Sequence, residues 1–188
     1  MAAGATAILA AGVEQVGTRT GRPFGRYGYT TALRPQVAGV PVLVPMAWFA
    51  MAVPARETAH AALGSRSTRT TRVVAGAATL TAWDLFLDPQ MVGEGYWQWA
   101  RRGAYRGIPL SNYLGWFMTG LGVMALLEVV VPPADPVIDL VAGYGMMAAM
   151  ETVGFAAFFG DRLVAAVGGL GMLPVASLAL ARLVGQHE

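Results

Sequence analysis

Asp84 and Asp88 stand four residues apart in the stretch DLFLDPQMVGEGYWQW (84–99), and Glu94 follows just beyond them. If one helix carries both aspartates, that spacing puts their carboxyl groups on one face, roughly 5 to 6 Å apart. Two acids so placed in a low-dielectric site cannot both ionise, so one is expected to keep its proton near neutral pH and serve as a donor. The same region supplies Trp83, Phe86, Tyr96, Trp97 and Trp99, and Trp116 follows in the next apolar segment. Each ring taken singly has a plain use in a core or at a membrane interface. Taken together they have another, because aromatic faces stabilise a desolvated cation by about 2 kcal/mol or more. A carboxylic acid beside aromatic walls in an apolar cavity can protonate an alkene and hold the resulting carbocation. A second carboxylate then takes the proton from the water that captures it.

The other acids divide by their surroundings. Asp135 precedes Pro136 and Asp88 precedes Pro89, the pattern of an N-cap aspartate with proline at the first helical position. Asp161 stands at the start of the last apolar run and Ser111 just before the fourth, both at capping positions. Glu128 lies one turn from the Pro132-Pro133 break and is expected to reach the interface, while Glu57 and Glu188 are expected outside the membrane. Glu14 and Glu151 have no such explanation, and Asp88 and Asp139 stay open between the two groups. An ionisable group at mid-bilayer costs about 2.5 to 3.5 kcal/mol. Glu151, flanked by methionine and alanine, therefore joins Glu14 as a candidate supporting residue.

These residues must be held by membrane helices. The 188-residue chain is 55 % hydrophobic and only 13 % charged, with mean hydropathy +0.51, against roughly 25 % charge in soluble domains. Apolar runs recur at the length that crosses a hydrocarbon core of about 30 Å. The reading is one integral membrane domain over 1–188, an all-α polytopic bundle of about six helices in the cell membrane. The spans are expected at 2–16, which is short, 37–53, 73–87, 110–131, 137–159 and 163–184, with a short interfacial helix after the third. Small residues such as Gly120, Gly122, Gly143, Gly168, Gly169 and Gly171 let helix backbones approach closely in lipid. Every basic side chain is an arginine and no polybasic tail is present, which argues against nucleic acid as a partner. With no cysteine, thiolate chemistry and cysteine-ligated metals are excluded. His60 and His187 read as solvated connector residues, so no metal site is expected. Eight arginines fall on the side of the first, third and fifth connectors and five on the other. The eight include those of TRTGRPFGRYGYT (18–30) and 88–112, segments with a functional look. The plain basic loop GSRSTRTTR (64–72) is the better topological signal, and it places both termini in the cytoplasm.

DLFLDPQMVGEGYWQW (84–99), GIPLSNYLGWF (107–117), TGRPFGRYGYT (20–30) after Glu14, and METVGFAAFFGD (150–161) together resemble the integral-membrane carotenoid hydratases of the bacterioruberin-pathway type. The likeness runs from about residue 14 to 161. It implies addition of water across the terminal double bond of an acyclic carotenoid end group, giving a tertiary alcohol without a cofactor. It carries over Asp84, Asp88 and Glu94 as catalytic positions and Asn112 as a residue that orients water. On this reading either Asp84 or Asp88 donates the proton, and Glu94 positions or deprotonates the water. Arg22 and Arg26 then fix the carboxylates through charge-assisted pairs, and the substrate lies against Trp83, Phe86, Tyr96, Trp97 and Trp116. The family's longer members have further membrane sequence ahead of the segment ending at Glu14, so a short first helix here would open the cavity to lipid.

Two other readings remain. DLFLD (84–88) and DPVID (135–139) each place aspartates four apart, which would suit magnesium held against a diphosphate in an intramembrane prenyltransferase if both faced one cavity. The chain has no lysine to bind phosphate. The second reading is a carotenoid-binding protein without catalysis, whose acids pair with arginines to fix helix packing. The carotenoid and the number of associated copies are not legible in the sequence.

Overall fold

The computed structural model describes residues 1–131 and 134–185; the Pro132-Pro133 break, His187 and Glu188 lie outside the described residues. Six helices are present: α1 (Ala2–Thr20), α2 (Leu43–Leu63), α3 (Arg69–Gly93), α4 (Leu110–Val130), α5 (Ile138–Val153), which runs on as a π-helical turn (Gly154–Phe158), and α6 (Arg162–Val184). Three of them, α4, α5 with its extension, and α6, are long and apolar enough to cross a membrane by length and composition alone. The architecture is an all-α membrane helix bundle with minor strand content.

The connectors 21–42, 94–109 and 159–161 gather at one end of the bundle, tied by the β-pairing of 27–29 with 97–99, the Ser111 hydroxyl on the Phe24 carbonyl and the Arg106–Asp161 ion pair. The end of α2, the start of α3, the end of α4 and the start of α5 gather at the other, tied through Arg56, Arg72, Glu128 and the Glu57–Val137 hydrogen bond. Helix α1 runs past its expected end to Thr20, with the Thr18 and Thr20 hydroxyls donating back to the Glu14 and Val16 carbonyls, and Gly21 closes it in the left-handed region. Helix α2 starts later and ends later than expected. Residues 36–41 are spent on a small hairpin, β2 (Gln36–Val37) against β3 (Val40–Pro41). Helix α3 opens on a capping box between Thr68 and Thr71.

Helix α3 does not stop near Asp88. Pro89 sits inside it and cannot bond the Leu85 carbonyl, but the Tyr105 hydroxyl donates to that carbonyl at 3.0 Å. Burial and the nearby Asp161 push this hydroxyl up to about 12, so it remains a donor. The N-cap reading of Asp88 is therefore corrected: the continued helix keeps both aspartates on one face.

The expected interfacial helix is also corrected. Among the described residues, α3 gives way to a strand, β4 (Trp97–Trp99), paired antiparallel with β1 (Tyr27–Tyr29). The alternation Tyr-Gly-Tyr against Trp-Gln-Trp has period two, which puts the four rings on one face of a ribbon and leaves Gly28 and Gln98 on the other.

Glycine lets two aromatic side chains set the packing. Phe86 lies over Gly168 of α6, where a Cβ would meet its ring at 2.5 Å. Phe24, from the first connector, is wedged between Gly17 of α1 and Gly115 of α4. Gly143, by contrast, faces open space, and it brings no neighbour close.

At the end away from the ribbon, the charged groups pair. Glu128 accepts from the Arg72 and Arg56 guanidiniums, and its side chain is only 3 % exposed. Arg56 also pairs with Glu57 at 2.6 Å. Glu57 is not outside the bundle: it is buried, and its other oxygen accepts the Val137 amide at 3.1 Å. It thus does the capping expected of Asp135, which is exposed and lies ahead of Val137, the residue at the N-cap position of α5. Asp161 does cap α6, accepting from the Val164 amide. Arg182 donates to the Ala62 carbonyl at the end of α2, where the helix dipole favours a cation.

Candidate functional site

At the ribbon end lies an apolar chamber of about 240 Å³ between α1, α2, α3 and α4, roofed by the β1–β4 ribbon. Glu14, Asp88 and Asn112 are on its wall, and all five tryptophans of the chain line it. Trp48 and Trp116 stack at 4.0 Å between ring centroids, and Trp83 meets Trp116 edge to face.

The acids inside are held by neutral donors. The Asn112 side-chain nitrogen donates to Asp84 Oδ2 at 2.7 Å and to Asp88 Oδ2 at 2.5 Å, so one amide bridges both aspartates. The Trp97 indole donates to Asp88 Oδ1 at 2.7 Å. Asp84 is fully buried behind Asp88, and its Oδ1 has no partner among the described residues. Glu14 comes from the opposite wall and receives the hydroxyls of Tyr27 (2.5 Å) and Tyr29 (2.7 Å) together with the Trp48 indole (3.1 Å). Burial, then the adjacent Glu14, push both tyrosine hydroxyls well above the usual phenol range, so both stay protonated and donate.

The sequence-derived candidates separate clearly in space. Asp84, Asp88, Asn112 and Glu14 converge, with Trp83, Tyr96, Trp97 and Trp116 on the chamber wall. Glu94 does not join them: it is exposed at the C-cap of α3, where the helix ends and the chain turns toward β4. Arg22 and Arg26 are exposed too, and among the described residues no arginine pairs with Glu14, Asp84 or Asp88. Placing a guanidinium there would require burying it under the ribbon, and aromatic donors occupy that space. Phe86 packs between α3 and α6, stacked on Phe155, and does not face the chamber. Glu151 is half-buried on α5 and likewise away from it.

Tyr27, Tyr29 and Trp48 join the site without having stood out in the sequence. The period-two YGY pattern is the available signal for the tyrosines, since it puts both hydroxyls on one side of a strand. Nothing local marks Trp48, whose role depends on α2 packing beside α1. DLFLD and DPVID lie at opposite ends of the bundle: Asp139 is in the first turn of α5, just after the Val137 amide that bonds Glu57, while Asp88 lines the chamber at the ribbon end. Asp88 lines the chamber and Asp135 and Asp139 do not, so the two pairs do not face one cavity, as the diphosphate reading requires.

The fold and site together are those of an all-α membrane helix bundle that encloses an apolar chamber with buried acids and aromatic walls. The chain belongs to the carotenoid biosynthesis protein family, whose pattern matches residues 1–184. It is 35 % identical over 126 residues to the bisanhydrobacterioruberin hydratase of Haloarcula japonica, a match covering 66 % of this chain and 43 % of that protein. The chain thus spans less than half the length of that curated relative. No solved structure matches it significantly.

Proposed function

We propose that the chain is a multi-pass protein of the cell membrane that hydrates the terminal double bond of an acyclic carotenoid, without a cofactor. The observation that carries this reading is the pairing of Asp84 and Asp88 on one Asn112 amide in a chamber walled by tryptophan, with no cation beside them among the described residues. Like charges so close in an apolar site favour a shared proton. Asp88, the member on the chamber wall, delivers that proton to the less substituted alkene carbon. The π electrons form the new C–H bond, and the charge moves to the tertiary carbon, where the faces of Trp83, Trp48 and Trp116 stabilise it. A water held at Glu14 adds its oxygen to that carbon. Glu14, as carboxylate, takes the released proton and thereby fills the role that the sequence reading expected of Glu94. Exchange with solvent restores both acids.

The chamber suits an isoprenoid end group rather than a whole carotenoid. Its edge at Leu33 and the exposed Leu43 offers the rest of the chain a way out along the lipid. The relative's name points to the same substrate class.

The test is expression in a lycopene-accumulating host, with mass spectrometry of the pigment. A gain of one water per reacting end is the expected result. Bound pigment of unchanged mass would overturn hydration in favour of a carotenoid-binding protein, and a gain of an isoprene unit would favour prenyl transfer.

A further inference from the structure

Hydration consumes one water per turnover, and the hydrocarbon side of the chamber cannot supply it. The other side of the ribbon can. There a polar cleft of about 520 Å³ is lined by Thr18, Arg19, Arg26, Gly28, Thr30 and Gln98. Tyr27, Tyr29 and Trp99 line both the cleft and the chamber, so the two spaces are separated by the thickness of these side chains. Glu14 lies directly behind the two tyrosine hydroxyls. The Trp99 indole nitrogen is buried with no partner among the described residues, a donor left over in that wall. Gly28 pairs with Gln98 across the ribbon, and a Cβ added at Gly28 would meet nothing within 4 Å. The cleft is therefore open at that point.

We propose that the β1–β4 ribbon is the water inlet of the site: water collects in the Arg19–Arg26 cleft and passes between Tyr27, Tyr29 and Trp99 to Glu14, while the carotenoid arrives from the lipid past Leu33 and Leu43. The ribbon then keeps bulk water off the cation and admits the single molecule that reacts. This inference rests on the hydratase reading for its purpose, but the route itself is measurable without turnover.

The probe is D2O. In 15N-tryptophan-labelled protein in detergent, the Trp48 indole N–H, bonded to Glu14, exchanges only when water reaches that carboxylate. Gly28→Leu fills the cleft from the outer face of the ribbon, and Gly28→Ser occupies the same place with a small polar group. Gly28→Leu is expected to slow Trp48 indole exchange and kcat by about tenfold each with KM unchanged, whereas Gly28→Ser stays close to the original protein. Equal Trp48 exchange in the original and Gly28→Leu proteins would overturn the inlet. Equal slowing in both variants would overturn it too, since a small polar group should leave the route open. If the original protein gives no hydrated carotenoid, the hydratase reading fails, and the exchange comparison still decides whether the inlet exists.

Discussion

The two ends of the bundle use carboxylates in opposite ways. At the end away from the ribbon, Glu57 and Glu128 meet Arg56, Arg72 and a helix N-terminus, so each negative charge is neutralised where it stands. At the ribbon end Glu14, Asp84 and Asp88 meet only an amide, indoles and phenols. Paired acids hold helices together and are chemically inert, because their protons are gone and their lone pairs are committed. Acids buried among neutral donors have no cation to fix their charge, and in the proposed reaction that leaves Asp88 to give a proton and Glu14 to take one. The residue types are the same, and the partners decide which is fixed as scaffold and which stays available for the proposed chemistry.

The sharpest way to break this comparison is to change one acid at each end. Asp88→Asn preserves shape but removes the transferable proton, and kcat should fall about 10²- to 10⁴-fold, the usual range for a positioned acid. Glu14→Gln should fall toward the lower part of that range. Thermal unfolding of both proteins in detergent should stay near the original. A loss of folding with Asp88→Asn, or retained activity, would erase the distinction between the ends.

Glu128→Gln should do the reverse. It leaves the Arg72 guanidinium without its carboxylate and Arg56 with Glu57 alone, which costs up to about 3 kcal/mol of stability, while kcat per folded molecule is maintained. Denaturant unfolding combined with turnover measured on the folded fraction checks this. A smaller effect is expected from Trp116→Leu, which removes a ring stacked on Trp48. Losing about 2 kcal/mol of cation stabilisation should lower kcat roughly thirtyfold and leave KM nearly unchanged. Equal changes in both constants would make Trp116 a binding wall only.

The smallest effect concerns Asp161, whose side chain, 24 % exposed, is more open to solvent than the acids of either group. Partial burial pulls this carboxyl upward, but the Arg106 guanidinium and the Val164 amide outweigh it and hold the group below its ordinary value of 3.8. A depressed folded value means that its stabilisation is complete above the unfolded value and is lost as pH falls through the lower one. Asp161→Ala should cost about 1 kcal/mol at neutral pH, and the difference from the original protein should vanish in acid. Unfolding curves at neutral and strongly acidic pH decide it.

Composition and local pattern are enough for the membrane bundle, its six helices and the pairing of Asp84 with Asp88, because hydropathy and the helical repeat act over a few turns of chain. The central block 84–117 carries the family resemblance for the same reason. Out of reach of the sequence is every interaction made across the bundle. Glu94 looks like the third acid since it is close along the chain, yet α3 ends there and turns it to solvent. Glu14, seventy residues from Asp84, is the acid that shares the chamber. Glu57 looks external because it adjoins a polar loop, whereas it caps a helix eighty residues away. Burial, partner and charge state belong to the packed helices. Tertiary structure alone decided which acids meet arginine and which meet tryptophan, because a carboxylate's energy depends on the groups within a few ångströms, and here those groups come from distant parts of the chain.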